Sequence, residues 1–207
     1  MPQSKFLKDY RRLARLLAGG QAFCAFDTET TGLSSKTDRV IEIGAVAFCM
    51  EGGRPVVTGR FDALINPGMP LPPICAELSH ITDAMVADKP ACAAVLPGFL
   101  DFAGDAVLVA HNAAFDVKFV NAELVRAGLP PLSNAVVDTL RMSRSLLPAN
   151  GHWNLQFLAR QFGIDVHAAH RADDDARVCM EVLLHLLQAQ QEQRSESRSL
   201  ADAALQD

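Results

Sequence analysis

The sequence lacks the features that mark membrane-spanning, secreted and metal-thiolate proteins. No apolar run in its 207 residues approaches the roughly 18–20 residues that a membrane span needs, and its charged start has no apolar signal-peptide core. The cysteines number five, an odd count, and never form a Cys-x-x-Cys pair, which argues against a disulfide framework and a cysteine zinc site. We therefore expect a cytoplasmic protein with reduced thiols and no membrane contact.

Basic charge is also scarce. There are 19 lysines and arginines against 24 acidic residues, so the formal net charge is −5 and the isoelectric point is near 5.6. Such a balance excludes a surface that attracts nucleic acid everywhere, and taken alone it predicts no contact with DNA. The 49% of hydrophobic and 21% of charged residues are typical of one globular domain and exclude a disordered or fibrous chain.

The apolar pattern predicts a mixed α/β domain. Short apolar or β-branched runs predict strands over 22–30, 39–50, 55–65, 106–110 and 135–138. Apolar residues at spacings of three and four predict helices over 5–17, 74–87, 90–103, 113–127, 139–147, 153–162 and 173–193. Three consecutive strands followed by alternating strands and helices indicate a mixed sheet flanked by helices. We expect a basic amphipathic helix in 1–20, one domain over 21–190 and a polar, disordered tail over 191–207.

Two carboxylates lie at the end of the first apolar strand. Residues i and i+2 of a strand face the same side, so Asp27 and Glu29 should converge and repel each other unless a cation holds them. For an isolated Asp-x-Glu, a solvated strand end is the commoner explanation.

Helical periodicity predicts that two more carboxylates face inward. Asp116 continues the apolar stripe of helix 113–127, and a carboxylate that faces a sheet needs a metal or a hydrogen-bond donor. Of the three aspartates that open the last helix, Asp175 aligns with the buried face. Asp174 aligns with polar residues and is predicted to face water, whereas Asp173 suits a helix cap.

The inward carboxylates are thus Asp27, Glu29, Asp116 and Asp175. Oxygen ligands favour Mg²⁺ or Mn²⁺ over zinc, and four carboxylates suit two divalent cations roughly 3.5–4 Å apart in a phosphoryl transfer. His170 lies five residues before Asp175, so we expect it to reach a water at this site. His167, three residues earlier, suggests zinc, but no cysteine or third histidine lies close by.

Three segments resemble the motifs of a known enzyme family. FDTETTGL (26–33), AHNAAFDVKFV (110–120) and HRADDDA (170–176) are similar, in this order, to the three motifs of the DEDDh 3′–5′ exonucleases. This family includes the proofreading epsilon subunit of bacterial DNA polymerase III. The resemblance covers about residues 22–187 and implies a ribonuclease H-like α/β fold, in which three antiparallel and two parallel strands form a five-stranded sheet. It identifies 21–190 as the exonuclease domain.

The resemblance also implies a role for each motif residue. Asp27, Glu29 and Asp175 would hold one metal ion, Asp27 would bridge to a second, and Asp116 would support that second ion. His170 would be the general base. The implied substrate-binding residues are Thr30, Thr31, Leu33, His111, Asn112 and Phe115.

The implied reaction is hydrolysis of the terminal phosphodiester at single-stranded or frayed 3′ ends of DNA, with Mg²⁺ or Mn²⁺ and release of nucleoside 5′-monophosphates. The implied partners are nucleic acid 3′ ends and a DNA polymerase or another replication or repair protein. Two alternatives stay open: a 3′–5′ exoribonuclease, and a non-catalytic nucleic-acid-binding accessory module. The presence of all five catalytic residue types disfavours the second alternative.

Two departures from the family pattern carry expectations of their own. His80, in LSHIT, stands where the family often has glycine, so the floor of the terminal-nucleotide pocket should differ. The polar segment after the last predicted helix contains no clear sliding-clamp peptide, which favours a standalone nuclease over a replisome subunit.

Overall fold

A six-stranded mixed sheet lies at the centre of the computed structural model, which describes residues 4–204 except for the side chains of 197, 198 and 200–204. The strands are β1 (Lys5–Phe6), β2 (Phe23–Thr30), β3 (Val40–Glu51), β4 (Arg54–Leu64), β5 (Val107–Ala110) and β6 (Ala135–Asp138). The helices are α1 (Tyr10–Ala18), α2 (Pro73–Leu78), α3 (Asp83–Val86), α4 (Cys92–Ala103), α5 (Ala113–Arg126), α6 (Thr139–Leu146), α7 (Leu155–Phe162) and α8 (Ala172–Ala204). None of the helices within the described residues combines the length and apolar character needed to cross a membrane.

The strand order is β1-β6-β5-β2-β3-β4. β2, β3 and β4 form an antiparallel meander, and β5 and β6 extend it as parallel strands. The predicted ribonuclease H-like arrangement of three antiparallel and two parallel strands is therefore confirmed, and β1 adds a sixth strand.

The sixth strand corrects the prediction at the N-terminal end. Lys5 and Phe6, predicted to begin a helix, pair in parallel with β6. Helix α1 begins only at Tyr10, where the Asp9 carboxylate accepts hydrogen bonds from the next helical amides and caps the helix. The short strand covers the outer edge of β6, which would otherwise present unpaired backbone groups.

The two faces of the sheet carry separate cores, and this decides where the polar end of β2 points. Phe23 and Ala25 pack in the cluster that includes α1, α7 and α8, whereas Phe26 packs in the cluster that includes α4 and α5. Because side chains alternate along a strand, Asp27 and Glu29 continue the α8 face. Thr28 continues the α5 face.

A close approach between β3 and the start of α8 brings that helix to the end of β2. Gly44 pairs with Asp27 in the sheet, and a Cβ atom at Gly44 would lie 2.1–2.3 Å from backbone atoms of Ala172 and Asp173. Only glycine leaves room for the helix at this point, so Gly44 sets the position of Asp175 one turn further on.

Two other predicted elements differ from the structure. The helix predicted over 74–87 is divided into α2 and α3, because His80 between them adopts a left-handed backbone with φ of 58°. The prediction of a disordered tail over 191–207 is wrong for 191–204, where α8 continues. Residues 205–207 lie outside the described part of the chain.

Candidate active site

The four carboxylates reach one edge of the sheet from three elements. Asp27 and Glu29 come from the end of β2, Asp116 from the first turns of α5, and Asp175 from the first turn of α8. Asp116 is held by β2 itself, because Thr28 donates to its Oδ1 from the backbone N–H at 3.1 Å and from the hydroxyl at 2.8 Å.

Asp175 is oriented by two donors. Its Oδ1 accepts a hydrogen bond from Gln156 Nε2 at 2.9 Å, and its Oδ2 accepts one from the His170 N–H at 3.1 Å. Ligand atoms of Glu29, His170 and Asp175 lie within 4.8 Å of one another, so these three side chains could share one cation. Sequence reasoning did not single out Gln156, since a glutamine on an otherwise amphipathic helix carries no signal of its own.

Burial and mutual repulsion make these carboxylates hard to ionise. Burial, together with the charges of the other three, raises the pKa of Asp27 well above its ordinary value. Burial is also the leading cause for its neighbours, and it raises the pKa of Glu29 to about 8, of Asp116 to about 7 and of Asp175 to about 6. Groups that stay ionised at neutral pH in such a place need a positive charge between them.

A buried ion pair holds the segment next to His170. Arg171 donates to the fully buried Glu42 of β3 from Nε at 3.0 Å and from Nη2 at 2.5 Å. The other Glu42 oxygen accepts the Ala172 N–H at 2.8 Å and so caps α8. A glutamate inside the apolar run RVIEIGAV (39–46) was the one feature of the sequence that could have indicated this buried carboxylate. The start of α8 is capped by Glu42 and not, as expected, by Asp173.

Asp174 corrects the prediction that it faces water. It is only 6% exposed, because the loop before α8 folds back over the first turn of the helix. Its Oδ2 accepts hydrogen bonds from the backbone N–H groups of His167 and Ala168 at 2.7 and 2.8 Å. Helical periodicity could not predict that Asp174 is buried, because the loop that buries it lies outside the helix.

Four of the six predicted substrate residues line one cavity beside Glu29. Thr30, Thr31, Leu33 and Phe115 lie on one side, and residues of α2 close the other side of a space of about 390 Å³. Leu33 is 81% exposed and Thr31 is buried. His80 is exposed and follows Ser79, which lines the cavity. The backbone of His80 is left-handed, a conformation that glycine adopts without strain, and this explains why glycine is common at the same position in the family.

His111 and Asn112 are not among the residues that line this cavity. The ring Nδ1 of His111 lies 2.9 Å from the Thr139 hydroxyl, and the Asn112 N–H donates to Asp138 Oδ1 at 3.2 Å. Burial lowers the pKa of His111 to about 4, so this imidazole is neutral at physiological pH. Both residues connect the start of α5 to the start of α6.

The sequence profile of the exonuclease family RNase_T matches residues 24–183, a span that contains all four carboxylates and His170. The chain belongs to this family. It is a 3′–5′ exonuclease of the DNA polymerase III epsilon type. Members of the family use divalent metal ions.

Two curated relatives show how far the similarity extends. The DNA polymerase III subunit epsilon of Treponema pallidum is 50% identical over 168 residues, which are 80% of this chain and 76% of that protein. The PolC-type DNA polymerase III of Caldanaerobacter subterraneus is 40% identical over 170 residues. These are 82% of this chain but only 12% of that much longer polymerase.

Solved structures share the fold. Exonuclease X in complex with 5′ overhanging duplex DNA has a TM-score of 0.62 and 27% identity, covering 80% of this chain and 91% of that one. The nuclease domain of 3′hExo, a DEDDh family member bound to rAMP, has a TM-score of 0.70 at 19% identity. That match covers 82% of this chain and 92% of the other, and it supports the ribonuclease H-like exonuclease architecture.

Proposed function

We propose that this exonuclease hydrolyses the terminal phosphodiester at single-stranded or frayed 3′ ends of DNA and releases nucleoside 5′-monophosphates. The observation that carries the proposal is the convergence of Asp27, Glu29, Asp116 and Asp175 at one sheet edge, with His170 beside them and a cavity next to Glu29. A DNA polymerase partner and a cytoplasmic location also belong to the proposal, and similarity to the epsilon subunit supports them.

The donor set fits two divalent cations, Mg²⁺ or Mn²⁺. All four carboxylates offer oxygen. Burial raises the pKa of each, repulsion from the other carboxylates adds to this at Asp27 and Glu29, and a bound cation would lower these pKa values again. In the proposed arrangement, Asp27, Glu29 and Asp175 would hold one ion and Asp116 would support the second. Divalent ions held there would lower the pKa of the attacking water and neutralise charge on the phosphoryl group.

His170 is the proposed general base. Its side chain is exposed at the mouth of the site, with a ring nitrogen within 4.8 Å of carboxylate oxygens of Glu29 and Asp175. A ring nitrogen of His170 takes the proton of the attacking water as the new P–O bond forms. The bond from phosphorus to the 3′ oxygen of the preceding nucleotide breaks, and that oxygen takes a proton from solvent.

The cavity beside Glu29 is the proposed site of the terminal nucleotide. Exposed apolar side chains at its rim, Leu33, Ile74 and Leu78, offer a surface against which a nucleotide base can pack. Lys118 lies 5.6 Å from the centre of the Phe115 ring and donates to the Leu33 carbonyl at 3.3 Å, so it connects Leu33 and Phe115 on one side of the cavity.

The substrate test uses DNA and RNA oligonucleotides of matched sequence, single-stranded and duplex, with Mg²⁺, Mn²⁺ or chelator. We expect metal-dependent shortening of single-stranded DNA that exceeds shortening of RNA, and none with chelator or in Asp27→Asn. Faster shortening of RNA would replace the proposal by the 3′–5′ exoribonuclease alternative. Binding without hydrolysis in every metal would favour the accessory-module alternative.

A further inference from the structure

Asp174 is a buried carboxylate beside the proposed active site that the proposed mechanism does not use. Its two oxygens have different partners. Oδ2 accepts the His167 and Ala168 N–H groups at 2.7 and 2.8 Å, and Oδ1 pairs with Arg177 Nη2 at 2.6 Å. A buried charge that is fully hydrogen-bonded in this way holds its partners in place and is costly to remove.

Arg177 extends the connection to the start of the same loop. Its Nη2 also donates to the Asp165 carbonyl at 2.6 Å, and its Nη1 pairs with Glu181 at 2.6 Å. The beginning and the middle of the segment 165–170 are therefore attached to the first turns of α8 through Asp174 and Arg177.

The same segment ends at His170, whose backbone is in an unfavourable conformation. Its φ of 61° lies in the left-handed region, which a non-glycine residue occupies when its surroundings hold it there. The imidazole is exposed, and its nitrogens make no hydrogen bond with other described residues. The backbone of the loop, rather than packing around the ring, thus determines where the imidazole lies.

We infer that Asp174 is a positioning residue for His170, an inference that rests on the proposed role of His170 as general base. Without the carboxylate, the His167 and Ala168 amides would bind water and the loop would sample other conformations. The imidazole would then spend less time beside the attacking water. Asp174 makes no hydrogen bond to the four metal-binding carboxylates and does not line the cavity. Its loss should therefore affect the chemical step more than binding.

The first test separates kcat from binding. Asp174→Ala should lower kcat roughly 10- to 100-fold, the size expected when a catalytic group is displaced by about 1 Å. The KM for single-stranded DNA and the Mg²⁺ concentration for half-maximal rate should stay within about twofold. Asp174→Asn keeps an acceptor oxygen for both amides and should recover much of the loss. Glu181→Gln, which removes the charge of another Arg177 partner and leaves the loop amides bonded to Asp174, should have the wild-type kcat.

A double-mutant cycle shows whether the effect passes through His170. In the His170→Ala background, Asp174→Ala should cause no further loss of kcat, because no imidazole is left to position. Equal fold-losses in both backgrounds, or an unchanged kcat in Asp174→Ala alone, would overturn the inference. Loss through KM alone would do the same.

Hydrogen exchange gives a readout that needs no activity. In Asp174→Ala, the His167 and Ala168 amides should exchange faster, while amides of β2 and β5 keep their wild-type rates. An inactive wild-type protein would refute the proposed function and the catalytic part of this inference, whereas unchanged exchange in an active protein would refute the inference alone. If Asp174→Ala does not fold, Asp174→Asn carries both measurements, with a smaller loss of kcat and faster exchange expected.

Discussion

At the scale of single residues, the proposed site concentrates negative charge where water is excluded. Four carboxylates share one sheet edge, and the pKa of each is raised, with burial as the leading cause. Side chains that repel one another in the folded protein contribute little to its stability without a cation. A cluster of this kind supports the metal site proposed above.

Each of the four carboxylates should be essential. Asp27→Ala, Glu29→Ala, Asp116→Ala and Asp175→Ala should each abolish turnover, because each removes a ligand or support of the cations. Asp27→Ala and Glu29→Ala should leave the melting temperature in chelator unchanged or slightly raised, since a repelling charge is lost. Asp116→Ala and Asp175→Ala should lower it, because each leaves two hydrogen-bond donors without their acceptor. Asp88→Ala, at an exposed position paired with Lys89, is the control. Full activity in any of the four variants would remove that residue from the site.

His170 and His167 should differ sharply, although they are three residues apart. His170→Ala should lower the hydrolysis rate by about 10²–10⁴-fold, the usual contribution of a general base. His167 contributes its backbone N–H to Asp174, so His167→Ala should keep most activity. Metal affinity measured by calorimetry should survive in both. Greater sensitivity at His167, or loss of metal binding in His170→Ala, would show that the base is assigned wrongly.

Periodicity predicted the inward direction of Asp116 and Asp175 because both lie in regular helices whose buried face is apolar. It could not predict Asp174, whose cover comes from a loop, or Glu42, whose partner is 129 positions away in the sequence. Because Asp174 is buried and hydrogen-bonded to the loop instead of facing water, we expect Asp174→Ala to lower kcat as argued above.

At the scale of elements, the site depends on how closely α8 approaches the sheet. Gly44→Ala would place a methyl group 2.1 Å from the backbone carbonyl carbon of Ala172, which neither element can accept without moving. We expect a clear fall in melting temperature and loss of hydrolysis, because Asp175 moves away from Asp27. Gly98→Ala in α4 is the control: its methyl group would meet the Phe61 ring at 3.6 Å, an ordinary contact. A wild-type rate in Gly44→Ala would contradict this account of the site.

The C-terminal part of α8 should be dispensable. Residues 191–196 are exposed, and within the described side chains their contact with the domain includes one hydrogen bond, from Gln193 Nε2 to the Leu146 carbonyl at 3.0 Å. Truncation after Gln190 should cost no more than about 1 kcal/mol of stability and leave single-strand hydrolysis unchanged. A large fall in melting temperature or rate would mean that this part of the helix supports the fold.

The sequence pattern predicted where the strongly periodic elements lie. It did not predict all of their ends, because these depend on contacts with residues far away in the sequence. β1 forms because β6 offers a free edge, and the division between α2 and α3 follows from one left-handed residue, His80. Apolar spacing across 5–17 and 74–87 is compatible with continuous helices. Tertiary pairing and a single backbone angle decide otherwise.

At the scale of the whole molecule, stability should depend on pH in the direction set by the buried carboxylates. The folded pKa values of Asp116 and Glu29, about 7 and about 8, exceed the ordinary values of 3.8 and 4.5. Both groups are already ionised in the unfolded chain above pH 6.5, so their ionisation in the fold removes stability as the pH rises to 8.5. The lowered pKa of His111 changes stability mainly at lower pH, between about 4 and its ordinary value of 6.5.

Thermal unfolding with chelator and with Mg²⁺ or Mn²⁺ checks this dependence. The melting temperature of the metal-free protein should fall between pH 6.5 and pH 8.5, and added cation should raise it most at pH 8.5. Asp116→Asn should flatten the metal-free profile. A melting temperature that rises with pH in chelator, or a metal-induced increase of equal size at both pH values, would contradict the electrostatic account.

The central claim is that this site removes nucleotides one at a time from a 3′ end. The most direct measurement follows one single-stranded DNA oligonucleotide labelled at its 3′ end or at its 5′ end, with Mg²⁺ or Mn²⁺, and resolves the products over time. We predict immediate release of the 3′ label as a nucleoside 5′-monophosphate, together with a 5′-labelled ladder that shortens by single nucleotides. Early release of the 5′ label, internal cuts, or cleavage that persists in chelator would contradict the account.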